Sequence, residues 1–175
     1  DYSKISSKIA YALDSPGHIG RILTSSPHSA KLSCEVFGKA AHAGSEPENG
    51  KSAAVGAAKI LATLKEGRLD EESTANFPIV QAGSGATNVV CDHAVINGEA
   101  RSRSSQKLSD YIGYFEEHCR KTAEEFGVRA ETSWKKGTPG FSVPHDSASV
   151  RLISEVFRQM GVTPCPEPSG GGMDA

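Results

Sequence analysis

Apolar residues return at every second position in "AKLSCEVFG", residues 30 to 38, where Leu32, Cys34 and Val36 alternate with Lys31, Ser33 and Glu35. A period of two predicts a half-buried strand. Over residues 50 to 66 the spacing changes to that of a helix, with Ala53, Ala57, Ile60, Leu61 and Leu64 on one stripe and Gly67 just beyond it. Its back carries Val55, Ala58 and Ala62, small enough for a second surface to approach. "FPIVQAG" (77 to 83) and "HAVINGEARS" (93 to 102) predict two more strands, joined through a loop holding Gly83, Gly85 and Asn88. Residues 106 to 126 form a second helical stripe of Leu108, Ile112, Phe115, Cys119 and Phe126. A fourth strand is predicted at 128 to 134, where Val128, Ala130, Thr132 and Trp134 alternate with Arg129, Glu131 and Ser133, so that Trp134 packs inward.

The order over residues 30 to 136 is β-α-β-β-α-β. It predicts an α+β fold of ferredoxin-like type, an antiparallel four-stranded sheet with two helices on one face. Before it, "KIAYALD" (8 to 14) is a short apolar run stopped by Ser15, Pro16 and Gly17, read as a buried strand with Asp14 at its end and a loop through Pro27 after it. After it, "GTPGFSVPHD" has the composition of a linker. It leads to an amphipathic helix at 147 to 160 carrying Val150, Ile153, Val156, Phe157 and Met160, then a short strand near 162 to 166 and the turn "SGGGMDA". The flanks are each too small to fold alone, so the economical arrangement is a central domain, 29 to 138, inserted into another that owns 1 to 28 and 139 to 175.

Composition narrows the function. The chain has 175 residues, and its 19 Lys and Arg against 21 Asp and Glu leave no basic excess for nucleic acid or an anionic membrane surface. No apolar run reaches the roughly 18 residues of a membrane helix, so the expected compartment is the cytoplasm. Cys34, Cys91, Cys119 and Cys165 form no CxxC pair and read as free structural thiols.

Several residues can carry chemistry. Asp14 at a strand end can offer a carboxylate to a zinc ion, or simply cap the Gly17 turn. His42, in "GKAAHAGSEPENG", has no carboxylate or cysteine at ligand spacing. An imidazole there can donate to an oxyanion or merely sit in solvent; the small Ala40, Ala41, Ala43 and Gly44 around it admit another surface. Asn88 can offer its amide to a substrate carbonyl or carboxylate, or serve its turn. Arg101 suits bidentate capture of a carboxylate or a surface ion pair, with Arg103 a nearby competitor. Gly170, Gly171 and Gly172 can bring backbone N–H groups close to a ligand, or form a flexible tail. Of the other histidines, His118 lies beside Glu116 and Glu117 and reads as part of a solvated face.

Taken together, "YALD", "GKAAHAGSEPENG", "GATNVV", "EARS" and "SGGGMDA" occur in an order that resembles the M20 family of dinuclear zinc aminopeptidases and amidohydrolases, its peptidase T-like members above all. The resemblance covers nearly the whole chain. It implies a lid of ferredoxin-like type inserted in an α/β zinc-peptidase catalytic domain, a homodimer formed through that lid, and a small peptide substrate. It implies two zinc ions in the intact enzyme, with Asp14 a ligand of one and the other ligands and a general-base glutamate outside this chain. The chain by itself is then expected to lack a complete metal centre and activity. By the same resemblance His42 reaches into the partner's active site as an oxyanion donor, Asn88 and Arg101 contact substrate, and Gly170 and Gly171 line the site. The extra Gly and Met of "SGGGMDA" depart from the family's SGG-x-D turn. A non-catalytic ferredoxin-like binding or oligomerisation domain explains residues 30 to 136 equally well, but not the flanking motifs.

Overall fold

The computed structural model describes residues 6–13 and 15–171. The chain divides into two compact units, His28–Pro139 and Asp1–Pro27 with Gly140–Ala175.

In the central unit the sheet is built from β2 (His28–Phe37), β3 (Gly67–Arg68), β4 (Ser73–Ala82), β5 (His93–Ser102) and β6 (Arg129–Lys136). They lie in the order β3-β4-β5-β2-β6, and every neighbouring pair is antiparallel. Without the two-residue β3, this is the ferredoxin-like strand order that the alternating pattern predicts. The alternation also sets which face is covered. Ala30, Leu32, Cys34 and Val36 of β2 and Ala94, Ile96 and Ala100 of β5 are buried, under α1 (Ala53–Thr63) and α2 (Ser105–Phe126).

Both helices begin on a serine whose hydroxyl accepts an orphan N–H: Ser52 from Val55, and Ser104 from Lys107, each at 3.3 Å. The second ends at Gly127, whose φ of +80° supplies the left-handed cap. Its stripe buries Leu108, Tyr111, Ile112, Phe115, Cys119 and Ala123. Phe115 stacks on Phe77 with ring centroids 5.3 Å apart. Cys34 and Cys119 are fully buried and free. The neighbouring Cys34 thiol and burial together push the Cys119 thiol far above its ordinary range, which keeps Cys119 inert.

The stripe of α1 also buries Gly56, because a glycine there lets Val36 and Val128 approach, and Leu61 packs partly buried against the same core. Two expectations are corrected here. Trp134 is about half exposed, at 49%; it pairs with the buried Leu32, but it stands at the outer strand, where no further strand covers it. His118 is only partly solvated: its Nε2 lies 3.1 Å from the Ile60 carbonyl and 3.2 Å from the Thr63 hydroxyl, so it caps the end of α1. The edge strand β3 also has no counterpart in the periodic pattern, which two residues are too few to register.

The second unit holds a three-stranded sheet, β7-β1-β8, formed by β1 (Arg21–Ser26), β7 (Phe141–Ser142) and β8 (Cys165–Pro168). β8 runs parallel to β1 and follows α3 (Ala148–Gln159). β1 occupies a stretch read from sequence as loop; its polar Thr24 and Ser26 are buried, which hides the hydrophobic signature. The predicted strand at 8 to 14 is also corrected. Lys8–Leu13 has no regular structure and Leu13 is fully exposed, since no strand among the described residues pairs with it; Tyr11 instead donates to the Ser149 carbonyl at 2.7 Å. α3 buries Val150 but leaves Val156 and Met160 exposed.

Candidate functional site

The loop between β2 and α1 is closed at its neck and pinned at its tip. At the neck, Lys39 and Lys51 exchange both backbone hydrogen bonds at 2.8 Å. Gly38 is needed there, because a Cβ would stand 2.1 Å from the Lys51 carbonyl oxygen. At the tip, His42 is bridged to Val89: the Ala43 N–H donates to the Asn88 carbonyl and the Val90 N–H to the Ala41 carbonyl, both at 2.9 Å. His42 and Asn88, both exposed, thus share one backbone platform.

The platform also orients the imidazole. Nδ1 of His42 accepts the backbone N–H groups of Gly44 and Ser45, each at 3.2 Å. An amide N–H can only donate, so Nδ1 carries the lone pair and the neutral ring keeps its proton on Nε2. In this tautomer the exposed His42 side chain presents its Nε2–H as a donor.

Arg101 is not part of this platform. Phe37 and His93 pair at the sheet end nearest the His42 loop, whereas Arg101 pairs with Ser29 at the other end. The length of the strand, roughly 26 Å at about 3.3 Å per residue, separates them. The guanidinium is bound through Nε and Nη2 to the two carboxylate oxygens of Glu99, at 2.9 and 3.1 Å. Its competitor Arg103 donates to the Glu71 carbonyl at 3.2 Å. Glu99 was legible only as a carboxylate two positions before Arg101, on the same strand face.

Gly170 and Gly171 belong to the other unit. Ser169, buried, donates its N–H to the Ser25 carbonyl at 2.8 Å, and its hydroxyl accepts the Gly171 N–H at 3.0 Å. A Cβ at Gly170 would meet nothing within 4 Å, so nothing in its own unit demands a glycine there. Asp14 and Gly172 lie outside the described residues. Among the described residues no group of three or more His, Cys, Asp or Glu can hold a metal ion.

The sequence pattern of the M20 peptidase dimerisation domain matches residues 25–127. The chain belongs to the M20 peptidase family. This M20 chain is 37% identical over its whole length to the uncharacterized protein YqjE of Bacillus subtilis, of which it covers 47%. Its fold matches the crystal structure of the aminopeptidase PepT from Bacillus cereus with a TM-score of 0.88 at 39% identity, covering 100% of this chain and 47% of that one. A tripeptidase of Staphylococcus aureus matches with a TM-score of 0.91 at 32% identity, over 99% of this chain and 46% of that one. The chain thus spans about half the length of these relatives. No helix among the described residues is long and apolar enough to cross a membrane.

Proposed function

We propose that this chain is the lid and dimerisation part, with adjoining pieces of the catalytic domain, of an M20 hydrolase that cleaves small peptides as a homodimer. His42 of one copy donates its Nε2–H to the oxyanion formed in the active site of the other, with Asn88 beside it on the substrate. Arg101 captures the substrate carboxylate in the active site of its own copy, and Gly170 and Gly171 are assigned to substrate binding. In this reading the flanking unit supplies catalytic-domain pieces, and the metal ligands apart from Asp14 come from outside the chain.

The carrying observation is the His42 ring itself, an N–H donor held by the Gly44 and Ser45 amides. A preorganised donor of this kind stabilises a developing oxyanion. The separation of His42 and Asn88 from Arg101 along β5 supports a site shared between copies, and two relatives named aminopeptidase and tripeptidase support a peptide substrate.

The test uses the full-length protein with a tripeptide. His42→Ala is expected to lower kcat by about 10²–10³, with oligomeric state and metal content unchanged. Mixing His42→Ala with Arg101→Ala subunits should restore activity, because one site of each mixed dimer is then intact. No recovery on mixing would refute the shared site; loss of metal in His42→Ala would refute the donor role.

A further inference from the structure

An arginine offers two edges to carboxylates, the side-on edge of Nε with one terminal nitrogen and the end-on edge of the two terminal nitrogens. In Arg101 the side-on edge, Nε and Nη2, is filled by Glu99, and both side chains are only partly exposed, at 33% and 42%. The cross-strand neighbours of Arg101 are Ser29 and Thr74, which bring no charge. Those of Glu99 are Lys31 and Asn76, and Lys31 is followed across the sheet by Lys135. The carboxylate is thus set in a row with two lysines that balance its charge, while the row of Arg101 has uncharged direct neighbours and continues past Thr74 to Arg68.

We propose that Glu99 is a positioning residue that clamps the side-on edge of Arg101, leaving the end-on edge, Nη1 with Nη2, to take the terminal carboxylate of a peptide. The inference rests on the role given to Arg101 above. Glu99 does not touch the substrate; it removes the rotational freedom that an arginine loses on forming a bidentate pair. Its contribution appears in binding of carboxylate-bearing substrates and not in the chemical step.

In the full-length protein, Glu99→Ala is expected to raise KM for a tripeptide with a free C-terminus about tenfold, with kcat little changed. KM for the C-terminally amidated tripeptide should not move. Glu99→Gln, which retains one acceptor oxygen, should fall between Glu99→Ala and the parent protein. The clamp is read separately from the ¹H–¹⁵N resonance of the Arg101 Nε–H, expected to be displaced by its carboxylate partner and to lose that displacement in Glu99→Ala. An equal KM effect on acid and amide peptides, an unmoved KM, or an Nε–H resonance indifferent to Glu99 would each overturn the inference. Arg101→Ala tests the underlying reading: if it still prefers acid over amide, the role of Arg101 fails whatever Glu99 does.

Discussion

His42 and Val89 are bridged backbone to backbone, so the loop after β2 and the loop before β5 act as one rigid platform. Side chains on such a platform are placed by the main chain and need no packing of their own. The Gly44 and Ser45 amides on Nδ1 make a claim about the proton. In ¹⁵N spectra of the neutral imidazole, His42 is expected to show a protonated Nε2 and an unprotonated Nδ1. A proton on Nδ1 would mean that the two amide contacts do not hold in solution.

The sheet has two dissimilar edges. β3 covers β4 only at Ala75 and Thr74, which leaves Asn76–Ala82 as an open edge without a charged residue. Ile79 and Val80 on it are each 49% exposed, and Val55 of α1 is 46% exposed. β6, at the other edge, carries Arg129, Glu131, Lys135 and Lys136, the charges that discourage edge pairing. The proposed self-association is therefore expected at the β4 edge with the outer face of α1. Val80→Lys should convert a dimer to monomers in analytical ultracentrifugation, whereas Lys135→Ala should not; a dimer that survives Val80→Lys places the interface elsewhere.

Asp70 makes a pH-dependent contribution at the start of α2. Its carboxylate accepts the Glu72 N–H at 2.8 Å and pairs with Lys107 at 3.1 Å. That hydrogen bond first, and Lys107 after it, lower the carboxyl from 3.8 to about 2. A depressed carboxylate stabilises the fold above its unfolded value, and the contribution disappears as the pH falls through the folded one. Melting temperature should therefore drop between about pH 4 and pH 2 by more in the parent protein than in Asp70→Asn. High salt should shrink the difference, since the pair is exposed. Equal slopes would show that Asp70 is not depressed.

The elements that can be read from sequence are those whose burial is one-sided and apolar. β5 runs from His93 to Ser102, as its alternation predicts, and α2 carries the expected stripe together with Tyr111 and Ala123. β1 escapes because it buries Thr24 and Ser26 in place of aliphatic residues. "KIAYALD" misleads in the opposite direction: it is apolar enough for a strand, but a strand also needs a neighbour to bond with, and composition does not supply one. His118 was obscured for a similar reason, since its acidic neighbours along the helix say nothing about the Ile60 carbonyl that α1 brings to it.

The same division runs through the candidate site. By itself the sequence determined the ferredoxin-like order, the free thiols and the candidacy of His42, Asn88 and Arg101, because periodicity and side-chain chemistry are local properties. Only the tertiary structure decided that His42 and Asn88 meet through a bridge at Val89, that Arg101 stands at the far end of the sheet, and that Glu99 holds one edge of it. Strand register, which places one residue opposite another, is a pairing between distant segments, and no local pattern of hydrophobic and polar positions encodes it.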